Sequence, residues 1–438
     1  MVKYLQQNPR ADKLKMAFVS NQLIWVQPQC YFGIIQAHVK SLKGDTQNAK
    51  AMIDNWSKIE QSYITKLDPN ANKLTLENGK EFSYKALVIG TGFDHSMNHI
   101  EGLAEYDSGP ETNHVFVHQI DNKERLSRNY HNGNHHQGGN HICYSPAVPY
   151  KGEGTDFYAL YYEWLNRQDR LLNSSSQGGK IEYWSPNKFI YAFPYANEVA
   201  MEECEKRGIE LNLGWELLKV HNDGTTDVAT FKNVDTGATI EHDFTAANIN
   251  PPSKQHQFIL DSGVCDKDGM VDVNRYTLQH NKFENIFAIG DCISGHTTRT
   301  YTGAMHQHPI VKHNMLSFLE GKDTNAIYDG YQYMPMWLGN AYGAGFSHLH
   351  DFEPAPTNDS TPHYGIFSNL YFNYFINNQV GMGQKYTSFK KNHGPPHYQY
   401  EARFDALEHN EYLAARQIDE SEVLHVNAQR RQAQISGV

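Results

Sequence analysis

Cysteine is scarce in this chain: Cys30, Cys143, Cys204, Cys265 and Cys292 are the only five among 438 residues, and none belongs to a CxxC pair. An odd, scattered set of thiols fits neither a secreted disulfide framework nor a zinc ribbon, and the expected compartment is reducing or matrix-like. Basic charge is also short. Lys and Arg number 38 against 49 Asp and Glu, a net charge of −11, which repels a phosphate backbone and argues against nucleic acid as a partner. Apolar stretches such as ALVIG at 86–90 and IFAIG at 286–290 are far below the ~20 residues of a spanning helix. The opening MVKYLQQNPRADKLK has no apolar core and no small-residue cleavage site, so no secretory signal is expected.

What is present has room for two or three domains at about 150 residues each. Residues 1–15 read as the end of a helix, and 15–20 as a short buried strand. KLTLE at 73–77, an Asn78-Gly79 turn and residues 81–83 read as a hairpin closed by a two-residue turn. It feeds YKALVIGTGF at 84–93, an apolar strand buried on both faces that ends in Gly90-Thr91-Gly92. A second α/β pass follows: strand 141–144, helix 156–166, strand 180–184, helix 195–207, Gly208 and strand 209–212. HNGNHHQGGN at 131–140 reads as a solvated insertion, because no Cys or carboxylate stands by to order the histidines; no metal is expected. Strand 286–289 ends at Gly290-Asp291-Cys292. Ile366, Phe367, Leu370, Tyr371, Tyr374 and Phe375 recur at helical spacing and predict an amphipathic helix, while 393–438 is a polar tail with no core of its own.

A strand ending in Gly-Thr-Gly lets backbone approach a dinucleotide, and a later strand ending in Gly-Asp before a helix aims N–H groups and a carboxylate at the same ligand. In order, YKALVIGTGF, NINPP at 248–252, GMVDVNRYTLQH at 269–280 and FENIFAIGDC at 283–292 resemble the flavoprotein disulfide reductase superfamily with its two dinucleotide-binding domains. VQPQCYF at 26–32, SPAVPYKG at 145–152, YANEVAMEECEKRGIELN at 195–212, TTRT at 297–300 and YDGY at 328–331 narrow the resemblance to the mitochondrial type of sulfide:quinone oxidoreductase, over roughly residues 1–385. The resemblance implies an α/β fold with two Rossmann-like domains and a small C-terminal region carrying an amphipathic helix. It also implies a flavin between the domains, flanked by two redox cysteines that pass electrons from sulfide to a membrane quinone. The expected division is 1–105 with 265–330 as the FAD-binding-like domain, 106–264 as the NAD(P)-binding-like domain, 331–392 as a membrane or interface region and 393–438 as tail.

Residue by residue, the match is uneven. Cys292 falls at the second redox cysteine, but Gly152 stands at the first, and Cys143 lies nine residues earlier inside a strand. The sequence begins within what reads as the first helix, so the opening strand and its GxGxxG turn are missing from it, and Ser20-Asn21 replaces the acid expected for the ribose. SPAVPYKGEG in place of a second GxGxxG disfavours a nicotinamide site. If FAD were held, Gly90, Thr91, Gly92, Gly290, Asp291, Arg299 and Thr300 would hold it. Three readings follow. The first is a fold without the reaction or the cofactor, serving as a structural subunit of an assembly on the matrix side of the mitochondrial inner membrane, with peripheral membrane contact and protein partners. The second is an active FAD-dependent enzyme reducing quinone through Cys292; the third is a soluble quinone- or nucleotide-binding sensor.

Overall fold

The computed structural model describes residues 16–20, 24–26, 46–48, 57–108, 115–117, 139–154, 156–160, 162–164, 180–295, 298–339, 342–353 and 364–368. The opening helix, most of the His/Asn loop and the 393–438 tail lie outside the described residues.

The expected α/β class is observed. Five short strands form one wholly parallel sheet in the order Val115–Val117, Ala246–Ile249, Asn140–Tyr144, Lys180–Ser185 and Glu210–Leu213. From Asn140–Tyr144 the chain steps outward in one direction, then returns at Ala246–Ile249 on the other side, which makes a topological switch between these two strands. Side chains alternate across the sheet. Cys143, Ile181 and Tyr183 enter one core, Ile142, Tyr144 and Trp184 the other. Both faces are therefore covered, as an all-parallel sheet requires.

One cover is the helix Pro194–Arg207. Proline sits in its first turn, Lys206 and Arg207 in its last, and Gly208 closes it at φ 69°, a left-handed cap that only glycine adopts without cost. Its buried face is Ala196, Ala200 and Cys204, small residues four apart that let the helix lie close to the sheet. The other cover is an antiparallel meander, Trp215–Asn222, Asp227–Asn233 and Thr239–Phe244. Phe231 of the meander stacks on Trp184 of the sheet at 4.0 Å and 13°.

Two parallel pairs define the remaining α/β part: Met16–Ser20 with Ser57–Gln61, and Leu87–Ile89 with Ile286–Ala288. The second pair joins segments 199 residues apart. Ile89, Val271, Phe287, Cys292, Ile310 and Val311 are among the residues of its core, covered by the helix Tyr301–Leu319. The strand expected over 84–93 is shorter, Leu87–Ile89, and only Ile89 is fully buried. The hairpin at 73–83 forms, with a different turn: Gly79 N–H donates to Leu76 O at 2.9 Å, and only Gly79 has positive φ. Asn78 stays out of the left-handed region, so this is a three-residue loop with a glycine bulge, not the two-residue turn that needs both residues there.

A third sheet is antiparallel: Gln332–Gly339, Tyr342–His348 and Tyr364–Ser368. Ile366 and Phe367 thus belong to a strand, which corrects the helix expected from 366; residues 369–376 lie outside the described residues. Aromatic and β-branched residues suit a strand as well as a helix stripe, and an available partner strand decides between them. Met334, Met336, Leu338 and Phe346 of this sheet pack into the core beneath the helix Pro194–Arg207, and the Arg207 guanidinium donates to Leu338 O at 2.6 Å. No helix among the described residues is long and apolar enough to cross a membrane.

Because Phe231, fully buried, packs on both Trp184 and Tyr144 of the parallel sheet, Phe231→Ala should lower unfolding free energy by about 3–5 kcal/mol. Urea denaturation checks this, and a loss below about 1 kcal/mol would mean that the stack does not carry the joint.

Candidate functional site

The pairing of Leu87–Ile89 with Ile286–Ala288 sets Gly90-Thr91-Gly92 beside Gly290-Asp291-Cys292. Ile289 N–H donates to Ile89 O at 2.9 Å, extending the contact into the two turns. Gly92 (φ 64°) and Gly290 (φ 83°) are left-handed, and a Cβ on Gly92 would meet nothing within 4 Å, so the first turn opens on free space. The Gly290 N–H is taken by Gln307 Oε1 at 2.7 Å. Asp291 is recessed. Burial pushes its carboxyl up to about 6, against the pull of Lys151 and Arg299.

Cys292 is fully buried, its thiol 3.5 Å from Ile289 O. Burial raises the thiol above its ordinary value, and hydrogen bonding with Thr91 and the Gly92 backbone offsets this only in part. The nucleophile in sulfur chemistry is the thiolate, so a thiol held in this state is a poor one.

Against Arg299 lies the loop 148–154. Gly152 N–H donates to Arg299 O (3.1 Å) and Glu153 N–H to Thr298 O (3.0 Å). The side chains close the same contact: Arg299 donates to Glu153 Oε1 at 2.9 Å, with the two side chains 7 % and 6 % exposed. Arg299 Nε–H also donates to Asp291 O at 3.2 Å, and the guanidinium lies over Phe93 at 5.8 Å. Arg299 is left-handed, φ 50°, a strained state for a side-chain-bearing residue that persists only where its surroundings fix it. Glu153 is pushed up to about 7 by burial, despite Arg299.

The neighbours of Arg299 are held from the antiparallel sheet. Gln332 Oε1 accepts from Thr300 N–H (3.2 Å) and Thr300 Oγ1–H (2.5 Å), while its Nε2–H donates to Tyr328 Oη at 3.0 Å. Its amide lies over the first turn of the helix Tyr301–Leu319, so close to Gly303 that a Cβ there would stand 2.1 Å from Nε2. His348, pushed down to about 4 by burial, is neutral at pH 7. Its Nδ1–H goes to Leu349 O at 2.7 Å, which leaves Nε2 to accept from the Thr298 hydroxyl at 3.3 Å.

The switch point of the parallel sheet is filled from within. Beyond the carboxyl end of Ala246–Ile249, Asn250 donates to Asp156 Oδ2 (2.7 Å), and Tyr150 Oη–H donates to Asp156 Oδ1 (3.1 Å). Tyr150 Oη in turn accepts from Gly154 N–H at 3.0 Å. Tyr162 bridges the two switch strands, with its ring 4.2 Å from His141 and its hydroxyl accepting from Asn248 at 2.9 Å.

The structure therefore brings Gly90, Thr91, Gly92, Gly290, Asp291 and Cys292 together, with Arg299 against Asp291 and Gly152 against Arg299. Thr300 is turned toward Gln332. Sequence reasoning missed Glu153, Asp156 and Gln332. Two acids within KGEGTD (151–156), a segment with too few apolar residues to bury them unaided, were the available signal for the first two. Gln332 carried none, because its partner is 32 residues away.

No family model matches the chain. It is 28 % identical over 284 residues to a protein of Schizosaccharomyces pombe named mitochondrial sulfide:quinone oxidoreductase. That match covers 64 % of this chain and 60 % of the fission-yeast protein. Among solved structures, a chain from the mitochondrial ATP synthase of Tetrahymena thermophila superposes with TM-score 0.80 at 24 % identity, covering 90 % of this chain and 94 % of that one. The sulfide:quinone oxidoreductase of Aquifex aeolicus follows at TM-score 0.67 and 15 % identity, covering 87 % and 89 %.

Two outcomes are expected at the site. Gly152 has φ 66°, so Gly152→Cys should lower stability by about 1 kcal/mol in thermal or chemical denaturation. The second concerns pH. Glu153 ionises at about 7 in the fold against an ordinary 4.5, and Asp291 at about 6 against 3.8. Between these limits the folded chain keeps protons that the unfolded chain has released, so the two groups remove stability as pH rises from about 4 to about 7. Glu153→Gln should flatten this decline, read as melting temperature against pH; an unchanged slope would mean that Glu153 does not titrate there.

Proposed function

Since this is a sulfide:quinone oxidoreductase-like chain of the FAD/NAD(P)-binding superfamily, its crevice can be judged against that chemistry, and we propose that it is a non-catalytic structural subunit of a mitochondrial inner-membrane assembly of the ATP synthase kind. This reading takes Gly152 to stand at the first redox-cysteine position, as the sequence resemblance implies, and the observation that supports it is the bonding of the Gly152 amide to Arg299 O. A two-thiol cycle cannot run with one thiol, and the remaining one, Cys292, is buried and protonated. The crevice residues do not fit a flavin. Gln332 lies over the helix end that would face the ligand, and Arg299 is committed to Glu153. Likewise, Tyr150, Asp156 and Asn250 fill the switch point where a nicotinamide dinucleotide would lie. The likeness to a chain of the Tetrahymena mitochondrial ATP synthase supports the assembly part of the reading.

In this reading the division into two dinucleotide-domain-like units, a C-terminal interface region at 331–392 and a tail at 393–438 serves attachment. The tail, poor in aliphatics and rich in charge, repays its ordering entropy of ~1–2 kcal/mol per residue only on a partner surface. The matrix face of the inner membrane is the proposed location.

The purified chain should show no visible flavin absorbance and no sulfide-dependent quinone reduction, and the tagged chain should co-migrate with ATP synthase in native gels of its own mitochondria. Deleting 393–438 should keep the body folded and weaken the co-migration. A yellow protein that reduces quinone would establish the enzymatic reading that Cys292 keeps open.

A further inference from the structure

Residues 150–154 and 298–300 face each other, and neither stretch is itself part of a helix or strand. Three bonds join them: the Gly152 and Glu153 amides to the carbonyls of Arg299 and Thr298, and the Arg299–Glu153 ion pair. The charged groups facing Glu153 are Arg299 and Asp291, and Lys151 of its own loop faces Asp291. Gln332 and His348 then fix Thr300 and Thr298 on either side of Arg299. In a cofactor enzyme the ligand itself ties such a crevice together, because whatever binds the folded state alone stabilises it.

We propose that the Glu153–Arg299 contact, backed by Gln332, is a built-in clasp that does this work in place of a cofactor and keeps the crevice shut. The inference rests on the non-catalytic reading above, since a chain that held a flavin would need no such clasp. Its decisive feature is the hydrogen bond at Glu153 Oε1, which a glutamine amide oxygen reproduces and an alanine does not. Charge is secondary: burial already disfavours the ionised carboxylate.

The test is amide hydrogen exchange at residues 150–156 in the full chain, read with melting temperature. In Glu153→Ala the Gly152 and Glu153 amides should exchange at least ~10-fold faster, a loss of ~1.4 kcal/mol of local protection. The melting temperature should fall by about 1–2 °C. Glu153→Gln should exchange within about 2-fold of the parent. Should Glu153→Ala fail to fold, Arg299→Lys, which keeps the charge but loses the guanidinium fork, should give the same local acceleration. Adding FAD to the parent chain should leave exchange and melting temperature unchanged.

Unaltered exchange in both Glu153→Ala and Arg299→Lys would overturn the clasp and leave the structural-subunit reading standing. A rise in melting temperature with FAD would overturn both.

Discussion

Everything around the crevice depends on where residues 298–300 are held. The three side chains are buried, their backbone includes a strained left-handed Arg299, and each is held by a different part of the chain: Thr298 by His348, Arg299 by Glu153, Thr300 by Gln332. A positive φ at arginine costs about 1–2 kcal/mol, so the segment keeps this shape because three partners together over-determine it. Arg299 in turn sets the loop at Gly152 and Glu153, through its carbonyl as well as its guanidinium. The segment 298–300 is thus where the parallel sheet, the paired strands 87–89 and 286–288, and the antiparallel C-terminal sheet meet.

The antiparallel sheet does more than cover a core. Its strand Gln332–Gly339 supplies Gln332 to the helix end and accepts Arg207 at Leu338 O, while Tyr342–His348 supplies His348. These contacts couple the helix Pro194–Arg207, at the back of the parallel sheet, to the crevice at its front. A buried polar network of this sort stabilises little unless every member is satisfied, but then it specifies one arrangement. Removing Gln332 would leave Thr300 without the acceptor for both its amide and its hydroxyl, in a site closed to water.

How far the sequence could be read follows from the range of each interaction. The helix Pro194–Arg207 and its glycine stop were legible because cap, periodicity and turn residue all lie within 15 positions. The strands at 140–144, 180–185 and 286–288 were legible as short apolar runs closed by turn residues. The turn at Asn78-Gly79 was placed correctly and typed wrongly, since the dipeptide permits both geometries and strand register chooses between them. At Ile366-Phe367 the pattern fitted a helix, and the partner strand Tyr342–His348 decided otherwise. In the site, the glycines and Cys292 were visible because family patterns mark them. Gln332 was invisible, and Glu153 was legible only as an acid in a weakly apolar segment, because their partners lie 32 and 146 residues away.

The surroundings of Cys292 are those of a packed core residue. The position lies four residues beyond the strand Ile286–Ala288, past the Gly290-Asp291 turn, and its side chain enters the core shared by Ile89, Val271 and Ile310. A thiol is among the few side chains small and apolar enough to be buried there beside the Thr91-Gly92 backbone at no polar cost. Reactivity would require the reverse: access, a nearby cation without another partner, and a second thiol across the crevice. Arg299 is engaged by Glu153, and the position across the crevice is Gly152, whose φ of 66° suits glycine. Packing alone therefore accounts for the cysteine at 292, and the glycine at 152 is accounted for by the backbone of a loop that has settled against Arg299.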